Sequence, residues 1–343
     1  MRIGDLDLDE RVMVVAEIGN NHEGDFGLAQ ELIGLAAEAG VDAVKFQTFR
    51  TEHYVARRDR RRFEQLRSFE LTIEQFENLS RVADDAGVLF LSTPLDLQSA
   101  ESLSTIVAAY KIASGDNTFG PLLEAVAWTG KPVIVSTGLA SMAEIRTARD
   151  TIRRVWSVRG IDQDLALLHC VTSYPVPSEE ANLAAIGTLK VAFGGTIGYS
   201  DHTLGIDAAV YAVAAGARIV EKHFTVDKGY SEFRDHRLSA DPKEMPKLVR
   251  RIRALEQMMG SGQKVPQPCE RPVVESLRRS IAAARDLPAG AILRREDLTW
   301  VRPGGGFAPG REDCVLGQEL AGAVTAGQVI TSQLLLGAPA TVE

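Results

Sequence analysis

The chain has 343 residues, of which 45% are hydrophobic and 24% charged, with a formal net charge of -8. This is the composition of a globular protein long enough for one large domain and a smaller one, and its acidic balance argues against a general nucleic-acid binder, which needs a basic face. No apolar run approaches the ~18 residues of a membrane span, and the N-terminus MRIGDLDLDERVMVV lacks a signal-peptide pattern. Cys170, Cys269 and Cys314 are few, odd in number and without metal-finger spacing, which points to reduced thiols in a cytoplasmic protein.

Val12–Ile18 (VMVVAEI) reads as a buried strand running into the polar cluster Gly19-Asn20-Asn21-His22-Glu23-Gly24. Apolar residues at helical spacing over 26–39 stop at Gly40, a natural C-cap. DAVKFQTF is a second strand; a helix over 73–86 ends at Gly87 and feeds a third, VLFLSTP. YKIASGDN, KPVIVSTG, DLALLHCVTSYP, GGTIGYSDHT and ARIVEKHF follow as strands four to eight. Eight apolar strands separated by helical patterns, each leading into a polar loop, imply parallel β/α units. A (β/α)8 barrel fits a length of about 250 residues, and its active site belongs on the loops at the strand C-termini. After a helix over 242–259, the composition of 260–274 reads as a linker. Residues 275–343 carry the related phrases DLPAGAILRREDL and AVTAGQVITSQLL, a pseudo-repeat expected to form a small β-rich domain.

The candidate chemistry lies at the strand ends. His202 in YSDHT and His223 in EKHF follow strands seven and eight; converging there, two imidazoles make a metal site. The plain alternative for either is a satisfied hydrogen-bonding histidine. Lys45, Lys111 and Lys222 each sit in a strand-end phrase, where a lysine needs a partner or an anion. Hydroxyls recur beside them at Ser92-Thr93, Ser114, Ser136-Thr137 and Ser200, which suggests a phosphate or carboxylate cradle, with a Schiff-base lysine as the rival role. Glu221 is expected to partner Lys222 or a ligand histidine, while Glu17 has no sequence-local partner and is the better candidate for a catalytic carboxylate. Cys170 reads as packing. Residues 50–67 hold seven arginines against three acids, either an exposed helix or a lid that recognises an acidic substrate.

The phrases AEIGNNHEGD, VKFQTF, FLSTPLD, YKIASGDN, VSTGLAS, LLHCVTSYP, IGYSDHTLG and VEKHFTVD, in this order, resemble sialic acid synthases. RRSIAAARDLPAGAILRREDLTWVRPGGGF resembles the antifreeze-protein-like (SAF) domain of that family, so the likeness spans residues 10–335. It implies a TIM-barrel catalytic domain over 1–259, a linker over 260–274 and an SAF domain over 275–343. The implied reaction condenses phosphoenolpyruvate with an N-acylated hexosamine such as N-acetylmannosamine, giving a nine-carbon 2-keto sugar acid and phosphate. A divalent metal, manganese or magnesium, is implied as cofactor, held by His202 and His223 and activating the sugar aldehyde. Carried over by motif, Lys45, Thr93, Lys111, Ser114, Ser136 and Ser200 hold phosphoenolpyruvate. Gln47, Asp116, Tyr174 and Asp235 face the sugar, and Glu17 is the essential carboxylate. Arg302 resembles an arginine lent to the partner subunit, which implies a domain-swapped homodimer.

Three departures from the family pattern touch the acceptor: the altered loop Tyr230–His236, the arginine run 57–62, and Gly305 in place of an asparagine. They keep open a 6-phosphorylated hexosamine or a diacetamido-trideoxyhexose as acceptor. A Schiff-base pyruvate aldolase and a carbohydrate-binding protein with a decayed barrel are the readings from other classes.

Overall fold

The structure, a computed structural model, describes residues 1–336 and contains two compact units, Met1–Ser261 and a second beginning at Gly262. In the first, eight parallel strands close into a barrel: β1 Met13–Gly19, β2 Ala43–Thr48, β3 Leu89–Pro94, β4 Tyr110–Ile112, β5 Val133–Ser136, β6 Leu165–Cys170, β7 Thr196–Asp201 and β8 Ile219–His223, with β8 pairing back onto β1. This is the (β/α)8 barrel that the strand count predicts, with helices packed around it.

Strand alternation sorts every barrel residue. Val14, Val44, Phe46, Ile197, Tyr199 and Val220 point outward into the main core beneath the helices. Met13, Val15, Ala43, Leu91, Ile134, Ala166, Leu168 and Ile219 point inward and fill the N-terminal half of the barrel. Gly198 is the inward residue where no side chain fits: a Cβ there would lie 2.4 Å from Leu168 Cδ2 and 2.6 Å from the Ile219 carbonyl oxygen. Above this apolar floor the inward positions turn polar, and there the site begins.

The helices of the shell carry clear start signals. Thr72 and Gln75 form a capping box before the helix Ile73–Asp85, and Ser141 and Glu144 form another before Met142–Arg159. An element absent from the sequence reading is a hairpin of Arg2–Ile3 with Leu6–Asp7. Ile3 and nearby Leu8 are fully buried in the inner cluster, so the N-terminal segment plugs the floor of the barrel.

Part of the stretch 260–274 is helical: a helix runs Arg271–Leu277, with Pro272 in its first turn, where a missing N–H leaves no bond unmade. Beyond it, β9 Ser280–Ala283 pairs antiparallel with β10 Leu298–Val301, and β11 Glu319–Leu320 with β12 Leu335–Leu336. The two related phrases play equivalent parts. Leu287 bridges Val324, Gly290 and Gly327 both turn with φ near +80°, and Leu293 and Ile330 are both buried in one small core. Among the described residues no helix is long and apolar enough to cross a membrane.

Candidate active site

A cavity of about 880 Å³ opens at the C-terminal ends of the barrel strands. Its lining gathers Glu17 from β1, Lys45 and Gln47 from β2, Thr93 from β3, Lys111 from β4, Ser136 from β5, Ser200 from β7 and His223 from β8. Ser114 and Asp116, on the turn after β4, line it as well, as do Tyr174 and His202 from loops and Asp235 at the start of the short helix Asp235–Leu238. Of the residues singled out from the sequence as site residues, Arg302 alone lies in the second unit, exposed just after β10.

At the centre is an alternating set of charges. Lys45 Nζ lies 2.6 Å from Glu17 Oε2 and 3.7 Å from Glu221 Oε2; Lys111 Nζ lies 3.4 Å from Glu221 Oε1. Lys45 also donates to Thr93 Oγ1 (3.1 Å), Ser200 to Glu221 (2.8 Å) and Gln47 to Glu17 (3.1 Å). Burial pulls the Lys45 ammonium down, but Glu17 and Glu221 outweigh it and hold the group above the ordinary lysine value, so it stays charged. Lys111 is drawn below that value by burial, only partly offset by Glu221. Burial raises Glu17 despite Lys45, whereas for Glu221 the two lysines and Ser200 overcome burial and lower it.

Two expectations are corrected. Lys222 does not enter the cavity: it points to the outer face of β8, fully buried, where it pairs with Asp201 Oδ2 at 3.0 Å. Glu221 therefore does not partner Lys222, because neighbouring strand residues face opposite ways; its partners are Lys45 and Lys111. Counting by twos from His223 yields both results, so the signal was present in the sequence.

His202 and His223 face each other across the mouth with ring centroids 5.4 Å apart. His202 Nδ1 bonds the Val171 carbonyl at 2.8 Å, which fixes its tautomer and leaves Nε2 for another partner. His223 Nδ1 is buried with no hydrogen-bond partner among the described residues, and burial keeps this imidazole neutral, the state a ligand requires. No cluster of three or more protein ligands occurs among the described residues. The pair thus fits a divalent ion that accepts imidazole nitrogen and completes its shell with water and substrate oxygens, and does not fit a closed structural zinc site.

Other lining residues escaped the sequence reading. Thr172, like the expected Ser136, presents a buried hydroxyl without a partner among the described residues. Thr172 follows β6 by two residues, so the recurrence of hydroxyls at strand ends pointed to it. Tyr54, Arg61, Arg62 and Leu66 bring the arginine-rich segment to the rim, where Arg62 sits over the Tyr54 ring (5.8 Å) while Arg57, Arg58 and Arg60 remain exposed. The guanidinium of Arg234, from the altered loop, stacks 4.4 Å above Tyr174, whose ring lies 4.3 Å from that of His202. Aperiodic loops gave no signal for these contacts.

A closed parallel barrel with charged and hydroxyl groups gathered at its strand ends defines a class in which substrates meet at the barrel mouth. A family model described as the NeuB family matches residues 32–264, and one described as the SAF domain matches 278–336. The chain is 46% identical over 310 residues to an uncharacterized protein of Methanocaldococcus jannaschii, covering 90% of each. It is 40% identical over 331 residues to the N,N'-diacetyllegionaminic acid synthase of Legionella pneumophila, covering 92% of each. Its structure resembles the crystal structure of the N-acetylneuraminic acid (sialic acid) synthetase of Leptospira borgpetersenii in complex with citrate, with a TM-score of 0.75 and 37% identity, covering 80% of this chain and 95% of that one. The chain belongs to the NeuB family, the sialic, legionaminic and pseudaminic acid synthases.

Proposed function

We propose that the protein condenses phosphoenolpyruvate with an N-acylated amino sugar, releasing phosphate and a nine-carbon 2-keto sugar acid. The observation that carries this reading is the pairing of a buried lysine and hydroxyl cradle with two ligand-competent histidines in one cavity. Lys45, Lys111, Thr93, Ser114, Ser136 and Ser200 hold the phosphate and carboxylate of phosphoenolpyruvate, with their charge set before substrate arrives. His202 and His223 would hold the divalent ion, manganese or magnesium. The chemistry that such a bound ion supplies is Lewis-acid polarisation of the acceptor's aldehyde.

The enol carbon of phosphoenolpyruvate forms the new carbon–carbon bond to that aldehyde, water adds at C2, and the tetrahedral carbon expels phosphate. Glu17, with its proton affinity raised by burial, is suited to orient that water and take its proton. Gln47, Asp116, Tyr174 and Asp235 face the sugar. Arg302 completes the site from the partner of a domain-swapped homodimer, an assembly suited to a small module following a barrel. The acceptor is a free hexosamine such as N-acetylmannosamine. The diacetamido-trideoxyhexose is the second reading, favoured by the likeness to a legionaminic acid synthase.

The test is phosphate release from phosphoenolpyruvate with a panel of free, 6-phosphorylated and diacetamido sugars, with and without chelator. Release with an N-acyl amino sugar that chelator abolishes is expected. No release with any acceptor in metal-replete buffer overturns the reading, and full activity in chelator with borohydride trapping of pyruvate replaces it with a Schiff-base aldolase.

A further inference from the structure

Glu23, in the loop after β1, has no part in the chemistry above, yet it is held in a costly conformation. Its φ is +47°, a left-handed backbone that non-glycine residues seldom adopt without compensation. The next residue, Gly24, has φ +85°, and a Cβ there would lie 2.1 Å from the Ser68 carbonyl oxygen. The loop is thus wedged against the end of the helix Arg60–Phe69, and the Glu23 side chain is turned toward the loop that follows β8.

There it grips. His236 Nε2 lies 2.9 Å from Glu23 Oε1, and the Ser231 hydroxyl donates to the same carboxylate oxygen. On the other side of the ring, His236 Nδ1 lies 2.6 Å from Thr225 Oγ1. A carboxylate, an imidazole and a hydroxyl in series resemble a nucleophile relay, but Thr225 and His236 are both fully buried and Thr225 also donates to the Asp227 carbonyl. No substrate reaches that hydroxyl, so the chain of bonds acts mechanically. Asn21 supplies a second grip, donating to the Phe224 carbonyl (2.7 Å) and to Ser239 Oγ (3.0 Å), which in turn donates to the Asp235 carbonyl (2.6 Å).

Between these grips lie Glu232, Phe233, Arg234 and Asp235, the residues that this loop sends into the cavity. None of the bonds involves Lys45, Lys111 or the hydroxyls of the strand ends. Resting on the reaction proposed above, we infer that Glu23 is a positioning residue for the acceptor sugar. Through His236 and Ser231 it fixes the loop that carries Asp235, and it leaves the phosphoenolpyruvate cradle untouched.

The experiment measures KM for each substrate in the wild type, Glu23→Ala, Glu23→Gln and Ser231→Ala, by phosphate release with the acceptor that the wild type uses. Glu23→Ala is expected to raise acceptor KM about tenfold with phosphoenolpyruvate KM within about twofold, because only the acceptor loop loses its anchor. Glu23→Gln keeps an acceptor oxygen for both donors and is expected to return within about threefold of wild type. Ser231→Ala, which removes the bond to Glu23 and the bond that Ser231 Oγ accepts from the Phe233 N–H, is expected to shift acceptor KM two- to fourfold and decides the matter should Glu23→Ala fail to fold. Both KM values moving together, an acceptor KM unmoved in Ser231→Ala and Glu23→Ala, or no rescue by Glu23→Gln overturns the assignment. Absence of phosphate release by the wild type with every acceptor overturns the reaction and the assignment together, which separates that failure from failure of the clamp alone.

Discussion

The two faces of β7 and β8 carry similar residues in different conditions. Outward, Lys222 donates to Asp201 at 3.0 Å and to the Thr203 carbonyl at 2.6 Å. Asp201 also receives the Thr203 N–H and hydroxyl, both at 2.8 Å, and the Tyr199 hydroxyl at 3.3 Å. Inward, Lys45, Lys111, Glu17 and Glu221 form a shared set of ion pairs from 2.6 to 3.7 Å, and beside them Ser136, Thr172 and His223 keep polar atoms that no group among the described residues satisfies. A buried polar group without a partner costs ~1–3 kcal/mol, so a fold tolerates several together only where something else is to be bound. The outward pair is saturated and structural; the inward set leaves polar atoms open to a ligand.

Breaking the outward pair has the largest expected effect, and on stability. Lys222→Met strands the Asp201 carboxylate in the shell, and unfolding free energy is expected to fall by ~3–5 kcal/mol, read by denaturant titration. Activity per folded molecule stays within about twofold, because nothing lining the cavity moves. Adding Asp201→Asn removes the stranded charge and recovers part of the loss. A Lys222→Met protein of normal stability but low activity would collapse the distinction between the faces.

The inward counterpart is Lys45→Met. It removes one preorganised donor from the cradle, and the rate of phosphate release per folded molecule is expected to fall ~10²–10³-fold, over and above the stability lost by stranding Glu17. The opposed outcomes for two buried lysines follow from their place in the strand period. That period was legible: the repeat of apolar strands gives the barrel, and alternation from His223 places Glu221 inward and Lys222 outward. Assigning all three lysines to the mouth overlooked that alternation. The hairpin at Arg2–Asp7 was not legible, since two-residue strands leave no periodic trace, and Ile3 is recognisable as a barrel plug only once the floor it fills is known. The rim was illegible for a related reason. Arg234 over Tyr174 and Arg62 over Tyr54 depend on loop paths that no repeat encodes.

The smallest expected effect sharpens the comparison at the edge of the inward set. Asp116 follows β4 on a one-turn helix, and burial lifts its carboxyl to about 6. A carboxyl that binds its proton more tightly when folded favours folding fully below its unfolded value, and that contribution is lost as the pH rises through about 6. In the proposed function the ionised form accepts hydrogen bonds from the sugar, so the folded protein carries at neutral pH a charge that stability alone would disfavour. Between pH 7 and pH 5 the ionised fraction falls roughly tenfold, and acceptor KM is expected to rise by about that factor. Asp116→Asn should flatten this limb of the acceptor profile, and above pH 6 it should be the more stable protein, since the neutral amide needs no water to solvate a charge. If the limb persists in Asp116→Asn, the titration belongs to another group of the mouth; if the variant is less stable than wild type at pH 8, the carboxylate is a structural partner like Asp201. The second result would place Asp116 with the saturated scaffold, and with it move the line between scaffold and site at the end of β4.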